Sequence, residues 1–112
     1  MQRQTAARGI RQLERRFLRG LCSLATVDEA RAYCSKLSHY EWLDPEHRIV
    51  FDAICRLRAT SGQSWQMELP ALTTRMGFPE VEWDDYFAVN TVVPGELQKW
   101  VAELRAIRSR GT

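Results

Sequence analysis

The sequence has no long hydrophobic run. Its uninterrupted apolar stretches are only a few residues long, whereas a helix that crosses a bilayer needs about 20 predominantly apolar residues. The N-terminal segment is rich in arginine and has no apolar run of the kind that a secretory signal requires. We therefore expect a cytoplasmic protein that does not act at a membrane.

Sequence motifs for phosphate binding and catalysis are also missing. The six glycines form neither GxxxxGK(S/T) nor GxGxxG, so no phosphate-binding loop is predicted. Histidine occurs only at His39 and His47, and we expect His47 to have a capping or packing role in the first turn of a helix. The acidic run of residues 80–85 lacks the central glycine and the final glutamate of an EF-hand loop. We expect no enzyme, no catalytic or metal-binding residue and no cofactor.

Cysteine is scarce, and the number of cysteines is odd. The three cysteines fall on predicted apolar helix faces, and no two of them form a CxxC motif; they are Cys22, Cys34 and Cys55. We expect reduced thiols in the core of a cytoplasmic protein. The alternative is a zinc site formed by Cys34, His39 and Cys55.

Helical periodicity is present along most of the 112 residues. Apolar residues recur every three or four positions from Ile10 to Leu24 and again from Leu97 to Ile107. With 45% hydrophobic and 27% charged residues, the composition is that of a soluble globular domain. We predict one all-α domain over residues 1–112, a single compact bundle of about six helices, three long and three short.

Capping residues and prolines define where these helices begin and end. Thr26 and Glu29 form a capping box, and Asp44 can cap a helix that Pro45 begins. Residues 61–68 are predicted to be a polar connection that holds Trp65. The predicted helices cover about residues 5–23, 26–37, 45–60, 70–76, 81–89 and 94–110.

Charge is unevenly distributed, although the net charge is only +2. Residues 1–19 hold six arginines and one acid, and residues 78–87 hold four acids and no base. We therefore predict a molecule with a basic first helix and an acidic segment late in the chain.

The candidate contact residues follow from this distribution. An arginine row must be solvated or paired, so we predict that Arg11, Arg15 and Arg19 contact a partner. Trp83 and Tyr86 are aromatic residues in an acidic surface segment, where they often mark an interface. Core packing is the competing role for Tyr86.

One segment carries a recognisable pattern. Residues 44–57 read DPEHRIVFDAICRL, and residues 13–21 read LERRFLRGL. The first resembles the HR-x-IF-x-AI-x-x-L helix of the N-terminal domain of DnaB-type replicative helicases, with Val50 in place of isoleucine. The second is similar to that family's first helix, in which an acidic residue precedes xxLLGxLL. The helicase-interacting C-terminal domain of bacterial primase has a like pattern.

The resemblance covers roughly residues 10–76 and implies a small helical domain that makes protein–protein contacts. In the helicase, this domain packs into a collar of paired domains and meets primase. The 112 residues contain no motor domain, so ATP-driven unwinding is not carried over. We predict a non-catalytic module of bacterial DNA replication that forms a dimer or binds a helicase-like or primase-like protein, with His47 and Arg48 among its contact residues.

Two other functions stay open. The protein could bind DNA through its arginine-rich first helix, although nucleic acid is the secondary prediction. A helix-turn-helix over residues 69–89 would have the wrong charge, because its second helix carries four acids that repel phosphate. A small metal-dependent enzyme that uses the acidic cluster is the third hypothesis.

Overall fold

The structure, a computed structural model, describes residues 2–24, 26–57, 65–87 and 94–110. These residues form six α-helices and no strand, so the predicted all-α bundle is confirmed. The helices in chain order are α1 (Gln2–Cys22), α2 (Val27–Arg31), α3 (Pro45–Arg56), α4 (Leu69–Arg75), α5 (Trp83–Tyr86) and α6 (Pro94–Arg110), and a 3-10 turn (Trp65–Glu68) precedes α4.

Helix α1 is the central element and packs against α3, α5 and α6. Phe17 and Leu21 are fully buried on its inner face. Leu97, Val101 and Leu104 recur along α6 at steps of four and three residues and are buried as well. Burial of each such side chain contributes about 1.5–3 kcal/mol, so this apolar contact holds α6 in the bundle.

Helix α3 begins where its capping residues predict. Asp44 accepts a hydrogen bond from the backbone N–H of Glu46 at 2.9 Å, and Pro45 occupies the first turn. The helix ends at Arg56, because Leu57 already has an extended backbone. The prediction that this helix continues to about residue 60 was therefore wrong at Leu57, and residues 58–62 lie outside the described residues.

The second helix is shorter than its periodicity predicts. The capping box is present, since Thr26 Oγ1 accepts from Glu29 N and Glu29 Oε1 accepts from Thr26 N, both at 3.2 Å. However, α2 ends at Arg31, and residues 32–39 continue as a series of turns. These turns include bonds from Tyr33 and Cys34 to carbonyls three residues earlier, which wind the chain more tightly than an α-helix.

The helix predicted over residues 81–89 is also shorter. Only Trp83–Tyr86 is helical, and Val81 is buried ahead of it in non-helical backbone. Residues 88 and 89 lie outside the described part of the chain.

Helix α4 ends at a glycine, as predicted. Gly77 has a φ of +96°, a backbone conformation that residues other than glycine rarely adopt. Its N–H bonds the carbonyl of Thr74, and the N–H of Phe78 bonds that of Thr73 at 2.8 Å. These bonds satisfy carbonyls that the end of the helix leaves free.

Within the predicted polar connection of residues 61–68, Trp65 begins the 3-10 turn and packs into the core. This side chain is 4% exposed, and its Nε1 donates to the carbonyl of Leu24 at 3.1 Å. Gln66 Nε2 donates to the carbonyls of Cys22 and Leu24 at 2.9 and 3.0 Å. Trp65 and Gln66 therefore close the C-terminal end of α1, whose last carbonyls have no partner within the helix.

The prediction of three reduced thiols was wrong for two of them. Cys34 and Cys55 form a disulfide between the turns after α2 and the last turn of α3. Cys22 is free and buried, and burial raises the pKa of its thiol to about 12. Among the helices that the structure describes, none is long and apolar enough to cross a bilayer.

Candidate functional site

A fully buried acid, Glu14, accepts four hydrogen bonds at the interface of α1 and α3. Its Oε2 accepts from the Tyr40 hydroxyl at 2.6 Å and from the backbone N–H of Leu43 at 2.8 Å. Its Oε1 lies 2.8 Å from His47 Nδ1 and accepts from the backbone N–H of Asp44 at 3.3 Å. A buried carboxylate is tolerated only when donors replace its lost water, and these four groups do so.

Sequence reasoning missed Glu14 as a buried residue, although a signal was present. Glu14 lies four residues after Ile10 and three before Phe17, so it falls within the apolar stripe of α1. Tyr40, an aromatic residue of the segment after α2, is buried beside Glu14. Burial, followed by the hydrogen bond and charge of Glu14, raises the pKa of the Tyr40 hydroxyl.

His47 has the packing role that its position predicts, and it is not a contact residue for a partner. It is 1% exposed, and its Nδ1 faces Glu14, so the ring donates from this nitrogen. Its Nε2 has no hydrogen-bond partner and lies 3.9 Å from Asp44 Oδ2. Burial removes His47 from any surface that a second protein could reach.

The geometry of this cluster is that of a structural element. A general acid or base must come within hydrogen-bond distance of its substrate. Glu14 and His47 are 0% and 1% exposed, and the bonds of Glu14 join α1 to the start of α3. The cluster therefore fixes how these two helices meet.

A second polar cluster joins the basic helix to the acidic segment. Arg15 lies 3.5 Å from a carboxylate oxygen of Asp85 and 3.8 Å from one of Glu46, and its guanidinium lies 5.9 Å from the ring centre of Tyr86. Tyr86 donates to Glu46 Oε2 at 2.6 Å, and Arg19 Nε donates to the Asp85 carbonyl at 2.7 Å. Burial, and then Glu46, raises the pKa of the Tyr86 hydroxyl.

These contacts correct the predicted surface residues. Arg15 and Arg19 are half-buried and hold α5 against α1, so they are not a free row for a partner. Tyr86 is 1% exposed and belongs to the core, which was its competing role. Arg11 is exposed, and Trp83 is half-buried against its aromatic neighbours.

Arg48 is the exposed member of the His-Arg pair, and it borders a cavity of about 580 Å³. This volume is within the range of about 300–1,000 Å³ that is usual for ligand pockets. The Cys34–Cys55 disulfide lies in the cavity wall. The aromatic and charged residues of the wall are Tyr40, Trp42, Phe51, Glu41, Arg48 and Asp52.

Within the described ranges, no three His, Cys, Asp or Glu side chains lie close enough together to hold a metal ion. Cys34 and Cys55, which the zinc alternative requires as ligands, are bonded to each other.

No protein-family model matches the chain, nor does any curated protein or solved structure.

Proposed function

We propose that this chain is a non-catalytic protein–protein interaction module of a bacterial DNA-replication assembly in the cytoplasm. It resembles the N-terminal domain of DnaB-type helicases and pairs with a second copy or binds a helicase-like or primase-like protein. The observation that carries this proposal is the hydrogen bond between Glu14 and His47. It links the two segments in which the resemblance was found.

The bond between Glu14 and His47 supports the resemblance more strongly than the shared apolar positions do, because it joins polar residues. The apolar positions of both segments, such as Phe17 and Phe51, are ones that any helical bundle requires. A buried acid that bonds a histidine of another helix is not required by packing, and it is costly unless fully partnered. Glu14 and His47 are the acidic and histidine positions of the two patterns.

The contact surface of this module is centred on Arg48. Its neighbour His47 is buried, so Arg48 alone of the pair can reach a partner. A planar guanidinium beside an aromatic-walled cavity suits a partner that offers a carboxylate next to an apolar side chain. Arg11, exposed on α1, is a second cation available to a partner.

Light scattering at two protein concentrations and two salt concentrations tests self-association. We expect a dimer that persists at high salt, because salt screens exposed charges but not apolar contacts. Binding of purified replicative helicase and primase is measured in parallel. A chain that stays monomeric under all four conditions and binds neither protein contradicts the proposal.

A charge reversal at Arg48 has a matched control in the same helix. Arg48 and Arg56 are both exposed on α3, and only Arg48 borders the cavity. We expect Arg48→Glu to weaken the association that light scattering or binding detects by about tenfold or more. Arg56→Glu should leave it within about twofold. Equal effects of the two variants contradict a contact centred on Arg48.

DNA binding through α1 is the second candidate, supported by the exposure of Arg8, Arg11 and Arg16. Each phosphate that these arginines contact should add about −0.9 to the slope of log K against log salt concentration. We expect Arg11→Ala with Arg16→Ala to remove most of that slope. Duplex DNA that shows no binding even at low salt rules this function out.

A further inference from the structure

The disulfide is placed where a small thiol or disulfide can reach it. Cys34 and Cys55 are both partly exposed and lie in the wall of the cavity described above. The third cysteine, Cys22, is 5% exposed, and burial raises its pKa to about 12. Because the thiolate is the reactive form, Cys22 does not compete for exchange with the other two.

The disulfide also fastens a segment that has little regular structure. Residues 32–43 lie between α2 and α3, and they form turns and irregular backbone but no helix. The Tyr40 hydroxyl and the Leu43 N–H of this segment bond buried Glu14. Trp42, in the same segment, packs on Phe51 of α3 with ring centres 4.9 Å apart.

We propose that Cys34 and Cys55 are a reversible thiol–disulfide pair whose redox state sets the order of residues 32–43 and the shape of the adjoining cavity. The reaction partner is a low-molecular-weight disulfide of the glutathione class. This inference rests on the cytoplasmic location in the proposed function, because in a reducing compartment a protein disulfide is typically transient and redox-sensing, which suits a pair that lies in an accessible wall.

Oxidation proceeds by two exchange steps. The thiolate of one cysteine attacks a sulfur of the small disulfide, forms a mixed disulfide and releases one small thiol. The thiolate of the second cysteine then attacks the protein sulfur of the mixed disulfide and releases the second small thiol. The two protein thiols lose two electrons to the small disulfide, and their two protons leave on the released thiols. Reduction is the reverse.

The link changes the order of the segment through chain entropy. The two cysteines are 21 residues apart in sequence, and a bond that closes a loop of this size removes many open conformations of the segment. After reduction, residues 32–43 are held only by noncovalent contacts, which include the bonds to Glu14 and the packing of Trp42. Local opening therefore becomes more frequent.

Counting thiols in glutathione buffers tests the chemistry. After equilibration, the intact protein is quenched with acid and alkylated in denaturant. We expect one alkylated cysteine in the oxidised form and three in the reduced form, with full reversal between them. Cys22→Ser should lower both counts by one without changing the midpoint. Three thiols at every glutathione ratio, or a bond that involves Cys22, overturns the proposal.

Hydrogen exchange of the two forms tests the structural consequence. We expect the amides of residues 32–43 to exchange about tenfold faster or more after reduction, while those of α6 stay unchanged. The Cys34→Ser/Cys55→Ser variant should match the reduced protein. If that variant does not fold, the reduced wild-type chain supplies the measurement. Equal exchange of residues 32–43 in both redox forms overturns the proposal.

Discussion

Glu14 determines the relative position of two helices through four hydrogen bonds. Its donors come from Tyr40, Leu43, Asp44 and His47, all at or just before the start of α3. A sliding movement of α1 by one turn would leave the acid in the core without donors, at a cost of several kcal/mol. The polar cluster thus specifies one packing arrangement among those that the apolar surfaces alone would allow.

Replacement of this acid by its amide tests that role. In Glu14→Gln, the amide NH₂ would face donors that the carboxylate oxygen now accepts from, so at least one buried donor loses its partner. We expect the free energy of unfolding to fall by about 2–4 kcal/mol, measured by urea denaturation. Glu103→Gln, at an exposed position of α6, should change it by less than about 0.5 kcal/mol. A similar small change at Glu14 would contradict this account.

Buried hydroxyl and thiol groups make stability sensitive to alkaline pH. Burial raises the pKa of Cys22, Tyr40 and Tyr86 above the ordinary 9.0 for cysteine and 10.0 for tyrosine. Above those values the unfolded chain releases protons that the folded chain keeps. The stabilisation is therefore complete below about pH 9 and is lost as the pH rises towards 12.

We expect these three groups to cause no pH dependence of the free energy of unfolding near neutral pH and a steep fall above pH 9. Tyr40→Phe and Tyr86→Phe remove two of the titrating groups, and each should make the fall above pH 10 shallower, even though each loses a hydrogen bond at pH 7. Urea denaturation from pH 7 to pH 11 measures both effects. An unchanged alkaline slope in both variants would contradict the assignment.

At the scale of helices, the sequence predicts best where local signals act alone. α1, α3 and α6 have long apolar stripes, and Asp44 and Pro45 begin α3 as expected. The predicted helices after Thr26 and Val81 were too long, because nonlocal bonds decide their ends. For α2, the nonlocal bond is the disulfide that joins Cys34, just after this helix, to Cys55 of α3. For α5, the nonlocal bonds come from Arg15 and Arg19 of α1.

The same reason limits prediction of the candidate site. The exposure of Arg48 follows from the helical period of α3, since it lies on the face opposite Val50 and Ile54. The pairing of Glu14 with His47 joins residues 33 positions apart. No local pattern reports such a pairing, because it depends on how α1 and α3 pack.

The end of α4 offers an element-scale prediction with an internal control. Gly77 has a φ of +96° and open space where the methyl group of an alanine would lie, so its replacement by alanine meets only backbone strain. We expect Gly77→Ala to lower the free energy of unfolding by about 1–2 kcal/mol. Gly9, within α1 and equally open, should give a gain of about 0.5–1 kcal/mol when replaced by alanine. Thermal unfolding of both variants measures the contrast.

At the scale of the whole molecule, opposite charges meet inside one chain. The arginines of α1 lie beside the acids of α5, with Arg15 between Asp85 and Glu46. Neighbouring opposite charges cancel much of each other's field beyond about 10 Å. The charge separation that the sequence predicts is therefore partly neutralised where these segments meet. The remaining positive charge on the surface of α1 comes from the exposed residues Arg8, Arg11 and Arg16.

The bundle as a whole depends on α6. Leu97, Val101 and Leu104 cover the apolar face of α1. A chain shortened after residue 87 should lose cooperative unfolding and bind a hydrophobic dye, because several fully buried side chains become exposed. Near-ultraviolet circular dichroism and urea denaturation measure this loss. A sharp transition in the shortened chain would show that α6 is dispensable.

The closure of α1 by Trp65 and Gln66 has a consequence for synthesis on the ribosome. The side chain of Gln66 reaches the carbonyl of Cys22, which is 44 positions earlier. At about 5–20 residues per second, the nascent chain waits roughly two to nine seconds between making α1 and making the residues that close it. During that interval an arginine-rich helix exposes its apolar face, so we expect the newly made N-terminal segment to be a substrate for chaperones until the remainder of the bundle is translated.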